Sequence, residues 1–352
     1  MYDLVPKLTP EKVRIGVIGV GRWGPNIVRA LTANPSTAVA QIVDLDEVRL
    51  DLIGEQFPDV PTSSDIKAVL EDPTVSAVAL ATPGTSHFEL ARKAMEAGKH
   101  VFVEKPLTTS VDDAHRLSTM ARDKGLVLMV GHVFVYNQAV QYIRGMIATG
   151  ELGNVYHCSS LRTNLGPFLN DINAAWDLAC HDISIANYWL GSAPVAVRAT
   201  GGSWVHKPIE EVVFAMLRYP GDVLVSIHVS WVSPVKRREI TLVGDQAMLT
   251  FDDSNLSEPI RIYNTGVPPV NREELTPNEG YVSFRSSVRE GDILIPKVHH
   301  REPLMIEMNA FVDAIRDGKE TLSDGWAGLE VVKVLNALTR SLEESGREVE
   351  IR

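Results

Sequence analysis

The chain has 352 residues, 45% of them hydrophobic and 22% charged, an ordinary globular usage that excludes a disordered or fibrous polypeptide and gives room for two domains or one enlarged one. Lys and Arg total 34 against 45 acidic residues, a formal net charge of -11, and no basic block exceeds Lys236-Arg237-Arg238, so nucleic acid is not an expected partner. Two cysteines, no signal-like character at Met1-Tyr2-Asp3-Leu4-Val5-Pro6 and no bilayer-length apolar run point to a soluble cytoplasmic protein with no membrane partner.

From Val13 to about Gly131 short apolar runs alternate with helical patterns. Val13–Gly19, Val39–Asp44, Ala77–Thr82, His100–Val103 and Leu126–Gly131 read as strands, and strands separated by helix-length segments imply a parallel, doubly wound α/β sheet. Pro25 falls in the first turn of a helix, Gly98 ends the helix Ser86–Ala97 in a left-handed conformation, and Ser110 with Asp113 caps the next one. After Tyr136 a helix runs to Gly150. The runs Val155–Leu161, Val195–Thr200, Val212–Leu217, Val223–Val232 and Glu239–Val243 then follow at turn-length spacing, which predicts an antiparallel sheet. A helix over Asn173–Leu190 interrupts them, Pro268-Pro269 marks a loop, and amphipathic patterns at Leu304–Arg316 and Ala327–Leu342 end the chain. The expected division is a Rossmann domain over 1–131 and an α+β domain over 132–352.

Gly19-Val20-Gly21-Arg22-Trp23-Gly24 leaves the first strand and opens a helix. Glycines there permit a tight turn and the approach of a pyrophosphate to helical N–H groups. Asp44 ends the second strand 20 residues after Gly24, where a carboxylate accepts hydrogen bonds from both ribose hydroxyls of an adenosine and repels a 2'-phosphate. NAD is therefore the expected cofactor, although Arg22 and Arg49 stand near enough to meet a phosphate. Thr82-Pro83, at the end of a later strand, borders the same crevice, with His87 close behind in the helix.

Glu104-Lys105-Pro106 stands where the next strand runs out at that edge of the sheet. An ammonium there polarises a carbonyl or stabilises a developing alkoxide; a solvated loop lysine is the alternative. With Trp23-Gly24-Pro25-Asn26, Ala81-Thr82-Pro83, His87, Glu104-Lys105-Pro106 and Trp176-Asp177-Leu178-Ala179-Cys180-His181-Asp182 together, the sequence resembles the Gfo/Idh/MocA oxidoreductases over nearly its whole length.

The resemblance implies a nucleotide-binding domain followed by one built on a large open sheet, whose exposed face makes homodimers or homotetramers. It implies a cis Lys105–Pro106 bond, cofactor contacts from Gly19, Gly21, Arg22, Trp23, Gly24, Asp44, Thr82, Pro83, His87, Glu104 and Lys105, and catalysis by Lys105, Asp177 and His181. Asp177 and His181 are four apart on the expected helix, so they share a face and the carboxylate can fix the imidazole's tautomer. Either His181 or Lys105 is the base. A zinc site from His157, Cys158, Cys180 and His181 lacks structural-zinc spacing, so no metal is expected.

The stretch Arg162-Thr163-Asn164-Leu165-Gly166-Pro167, ahead of Asp171 and Asn173, is similar to members acting on nucleotide-linked hexoses, the UDP-N-acetylglucosamine-type 3-dehydrogenases. Arg162, Asn164 and Asn173 are the expected substrate contacts beside Lys105, Asp177 and His181. Lys207, Lys236 and Arg237 either meet a diphosphate or form a plain cationic strand surface. A free cyclitol or simple sugar is the competing substrate, and a non-catalytic NAD-sensing regulator the competing function.

Overall fold

The computed structural model describes residues 12–266 and 291–352; the Pro268-Pro269 loop and the Met1–Pro6 start lie outside the described residues. The chain separates into two units, one of Met1–Val133 with Glu302–Leu329 and one of Phe134–Arg301 with Glu330–Arg352.

In the first unit the strands β1 (Val13–Ile18), β2 (Thr37–Val43), β3 (Thr62–Ser63), β4 (Ala77–Leu80), β5 (His100–Glu104) and β6 (Leu128–Gly131) make an all-parallel sheet in the order β3-β2-β1-β4-β5-β6. Val78, Leu80, Val101 and Val103 are fully buried, as expected of strands covered on both faces. The connecting helices are α1 (Gly24–Ala33), α2 (Glu47–Gln56), α3 (Lys67–Leu70), α4 (Gly84–Glu96) and α5 (Val111–Lys124). Their stops and starts follow the expected signals: Pro25 sits in the first turn of α1, Gly98 has φ +75°, and Ser110 Oγ accepts from the Asp113 N–H at 3.4 Å. The strand order reverses between β1 and β4, which opens a crevice beyond their carboxyl ends.

The domain expectation ran unbroken from 132 to 352, yet Glu302–Leu329 lies in the first unit. Helix α8 (Pro303–Asp317; α6 and α7 are in the second unit) packs Phe311 edge-to-face on Phe102 of β5 at 5.9 Å. It also pairs Asn309 with Asn34 at 2.8 Å, and Glu302 just ahead of it with Arg29.

The second unit is built on a nine-stranded sheet ordered β14-β13-β12-β11-β7-β10-β9-β8-β15. Its strands are β7 (Val155–Leu165), β8 (Ala196–Gly202), β9 (Val212–Arg218), β10 (Leu224–Ser230), β11 (Val232–Gly244), β12 (Met248–Asp252), β13 (Ile260–Tyr263), β14 (Ile293–Leu294) and β15 (Val349–Glu350). The sheet is mainly antiparallel, as expected, with β10 lying parallel to β7. A helix and two strands separate them in the chain, which is the long connection that parallel pairing needs. One face is covered by α6 (Gln138–Thr149) and α7 (Cys180–Leu190), where the Trp189 indole donates to the Val140 carbonyl at 2.9 Å. The other exposes Tyr156, Phe214, Met216 and Leu224. Helix α9 (Gly325–Glu343) passes from the first unit to the second. Among the described residues no helix is long and apolar enough to cross a membrane.

Candidate active site

The first unit carries the dinucleotide half. Gly19 has φ +93°, and a Cβ there would lie 2.7 Å from the Ala81 carbonyl and the Thr82 methyl; one on Gly24 would lie 2.2 Å from the Gly19 carbonyl. These two glycines let the turn after β1 press against β4 and against its own helix. A Cβ on Gly21 would approach only the Arg49 guanidinium, at 3.4 Å, so the space above Gly21 is open to a phosphate. Helix α1 has no side-chain cap and no acidic residue in its first turn, which leaves its N-terminal dipole to attract an anion. The glycine turn and the uncapped helix end therefore fit a dinucleotide.

Asp44 lies just past β2. Its Oδ2 accepts from the Val20 N–H at 2.7 Å and its Oδ1 from the Asp46 N–H at 3.0 Å, so the carboxylate braces the glycine turn and keeps lone pairs for ribose hydroxyls. Arg22 is exposed, and Arg49 pairs with Asp46 at 3.2 Å. Thr82 accepts from Ser86 at 2.8 Å, and Pro83 precedes α4.

His87 departs from the expected cofactor contact. It is fully buried, with Nδ1 2.8 Å from the Pro106 carbonyl and Nε2 2.8 Å from the Thr82 carbonyl. Burial lowers its pKa against the pull of those two carbonyls. The imidazole thus ties the turn after β4 to the residue after Lys105, and both ring nitrogens are engaged with protein. Lys105–Pro106 is cis, as are Gly166–Pro167 and Lys207–Pro208.

Lys105 follows β5. Its N–H donates to Glu104 Oε2 at 3.3 Å, and the Trp23 indole also donates to Glu104. Glu104 is 9% exposed, and burial pushes its carboxyl up to about 7; its contacts are to protein, where a cofactor contact was expected. His132, next to Gly131 at the end of β6, is buried with no partner on either ring nitrogen, and burial, then the Lys105 charge, lowers it to about 4.

The second unit carries Asp177 and His181. The expected helix begins as a π turn over Ala175–Ala179 and becomes α-helical at Cys180, so Asp177 sits in the widened turn and His181 in the first turn of α7. Such one-turn π-bulges are frequent at functional sites. Asp177 Oδ2 accepts from the Trp231 indole at 3.1 Å, and the His181 ring meets Phe134 edge-on at 4.9 Å. Asn173 starts this segment: its Oδ1 accepts from the Trp176 N–H at 3.2 Å and its Nδ2 donates to Glu210 at 2.9 Å. Asn164 donates to the Gly166 carbonyl.

Arg162 differs most from expectation. Nε and Nη2 both reach the Asp182 carboxylate at 2.9 Å, with side-chain exposures of 3% and 1%, and the guanidinium lies 4.6 Å over Phe134. Burial opposes its charge, and the Asp182 carboxylate beside it offsets that penalty. Its fork is spent inside the fold, not presented to a substrate. Sequence reasoning missed Asp182 as that partner, and Trp231 and Phe134 as the groups around Asp177 and His181. Cys158 and Cys180 are buried and form no disulfide, and among the described residues no group of three or more His, Cys, Asp or Glu is placed to hold a metal ion.

Two family models match: the oxidoreductase family with NAD-binding Rossmann fold over residues 13–132 and the GFO/IDH/MocA C-terminal domain over residues 140–250. The UDP-N-acetylglucosamine 3-dehydrogenase of Acidithiobacillus ferrooxidans is 29% identical over 333 residues, covering 91% of this chain and 94% of its own. A solved structure of that dehydrogenase aligns with TM-score 0.79 at 26% identity, over 94% and 97% of the two chains. The scyllo-inositol 2-dehydrogenase (NAD(+)) of Bacillus subtilis is 31% identical over 197 residues, 54% of this chain and 58% of its own. A levoglucosan dehydrogenase complex with NADH and levoglucosan shares the fold, with TM-score 0.81 at 20% identity over 97% and 100% of the chains. The chain, with an NAD-binding Rossmann unit joined to a C-terminal unit on a mainly antiparallel sheet, belongs to the GFO/IDH/MocA family of oxidoreductases.

Proposed function

We propose that the protein is an NAD-dependent dehydrogenase of a nucleotide-linked hexose of the UDP-N-acetylglucosamine type, acting on a ring carbinol carbon, C3. The observation that carries this reading is the similarity to UDP-N-acetylglucosamine 3-dehydrogenase along 91% of the chain, with Lys105, Asp177 and His181 all present. The glycine turn and α1 hold the pyrophosphate, and Asp44 holds the adenosine ribose. Bound NAD supplies the hydride acceptor.

His181 takes the proton of the substrate hydroxyl. Asp177, held by Trp231, orients the imidazole, and Lys105 stabilises the developing alkoxide through its charge. Lys207, and Lys236 and Arg237 near the start of β11, all exposed, are the cations left for a diphosphate once Arg162 is committed to Asp182.

A free cyclitol or simple sugar is the second reading, favoured by the inositol dehydrogenase relative. Following nicotinamide absorbance with a panel of nucleotide sugars, free sugars and cyclitols separates the two. Turnover confined to free cyclitols would overturn the first. The exposed apolar residues Phe214, Met216 and Leu224 on the open sheet face support a homodimer or homotetramer, which sedimentation of the full chain tests.

A further inference from the structure

The first unit buries a second carboxyl for which the chemistry above has no use. Glu307, in α8, is fully buried, and neither of its oxygens meets an N–H or O–H donor. In β5 alternate residues share a face, so Phe102 and Glu104 point the same way; in α8 residues four apart share a side, so Glu307 and Phe311 do. Phe102 and Phe311 are in contact at 5.9 Å, and Glu307, one turn before Phe311 on the same side, lies close enough to Glu104 to feel its charge. Gly131, paired with Glu104 across β5 and β6, makes the room, since a Cβ there would lie 3.1 Å from the Glu104 carboxyl.

Two facing acceptor-only groups in a dry pocket repel one another and remain unsatisfied unless one carries a proton. Burial, and after it the Glu104 charge, holds the Glu307 carboxyl well above the usual carboxylate range. Of the two, Glu104 alone receives the Lys105 N–H and the Trp23 indole, donors that favour its charged form. The other titratable groups here are Lys105, His132 and His87. Both histidines feel the Lys105 charge, and neither gives Glu307 a donor.

We propose that Glu307 is a neutral carboxylic acid whose proton is shared with Glu104, so that Glu104 presents one buried negative charge to Lys105. Glu307 is thereby a positioning residue of the Lys105 site. Its effect on turnover rests on the reading of Lys105 as a catalytic group; the shared proton does not.

The decisive measurement is infrared difference spectroscopy of the full chain without substrate, following the carbonyl stretch of protonated carboxylic acids. Wild type should show such a band at neutral pH and Glu307→Gln should lose it. A wild type without the band, or a band that survives in Glu307→Gln, overturns the proposal.

The pH profile of NAD-linked oxidation of UDP-N-acetylglucosamine supplies the second readout. Glu307→Gln keeps an N–H for Glu104 and should leave the acid limb in place. Glu307→Leu removes the donor and should raise that limb by about one unit, roughly tenfold in turnover on the acid side. A Leu variant with a lowered Tm and an unmoved limb would make Glu307 a packing residue and overturn the proposal. Should wild type fail to turn over the sugar nucleotide, the functional reading falls and the infrared result alone decides the carboxyl pair.

Discussion

Arg162→Met distinguishes a structural cation from a substrate cation. In the fold the guanidinium makes three contacts of 2.9 to 3.1 Å with Asp182, and both side chains are nearly inaccessible. Removing the arginine strands the Asp182 carboxylate, which for a buried pair costs about 3–5 kcal/mol. In a unit of this size each kcal/mol lowers Tm by about 2–4 °C, so the variant should melt on the order of 6–20 °C below wild type. The double variant Arg162→Met with Asp182→Leu removes both charges together and should recover most of that loss, because an apolar pair of similar volume replaces the ion pair. Thermal unfolding of the three variants beside wild type, with KM for the sugar substrate, is the assay. If Arg162→Met melts with wild type while KM rises tenfold, the guanidinium serves the substrate and the structural assignment is wrong.

Four further outcomes are expected. Asp44→Ala should weaken NAD binding by about tenfold, the scale of one charge-assisted hydrogen bond, and wild type should prefer NAD to NADP; preference for NADP in a titration would refute the role of Asp44. Gly24→Ala, which puts a methyl 2.2 Å from the Gly19 carbonyl, should cost about 1–3 kcal/mol and abolish NAD binding measured by calorimetry. His181→Ala should lower turnover about a hundredfold or more with NAD affinity unchanged, and Asp177→Asn less, with a shifted pH profile; full activity in the His181 variant would leave Lys105 as the base. His132 is held down from 6.5 to about 4, so the unfolded chain binds its proton first: the stability it contributes is complete above pH 6.5 and is lost as pH falls toward 4, about 3 kcal/mol in all. The stability difference between wild type and His132→Phe should therefore change by that amount across this interval in denaturant titrations, and a constant difference would contradict it.

The dinucleotide half was legible because its signals are local. Apolar runs of strand length, Gly19 and Gly24 where a Cβ has no room, and an acid at the end of the next strand are each fixed by residues close in sequence, and β1, β2, β4, β5 and β6 fall where the runs were read. The return of Glu302–Leu329 to the first unit was not legible in this way. The periodicity of α8 says only that one side is apolar, and which core receives it is decided by contacts such as Phe311 on Phe102, more than two hundred positions apart. The parallel β7–β10 pair was hidden for the same reason, since a strand's own pattern carries no record of its neighbour's direction.

Arg162 shows where a closer reading of the pattern would have reached further. In β7 the buried positions Cys158, Ser160 and Arg162 recur with period two, so the arginine shares the core-facing side with a cysteine and a serine. A guanidinium on that side must find an anion within the fold, because leaving it unpaired there costs more than one side chain can recover. Within the same unit the next helix offers Asp182, itself embedded among Ile183, Ile185 and Ala186, where an unpaired carboxylate is equally costly. Two buried charges of opposite sign, each lacking any other outlet, identify one another. By the same logic a buried acid with no such cation, Glu307, keeps its proton.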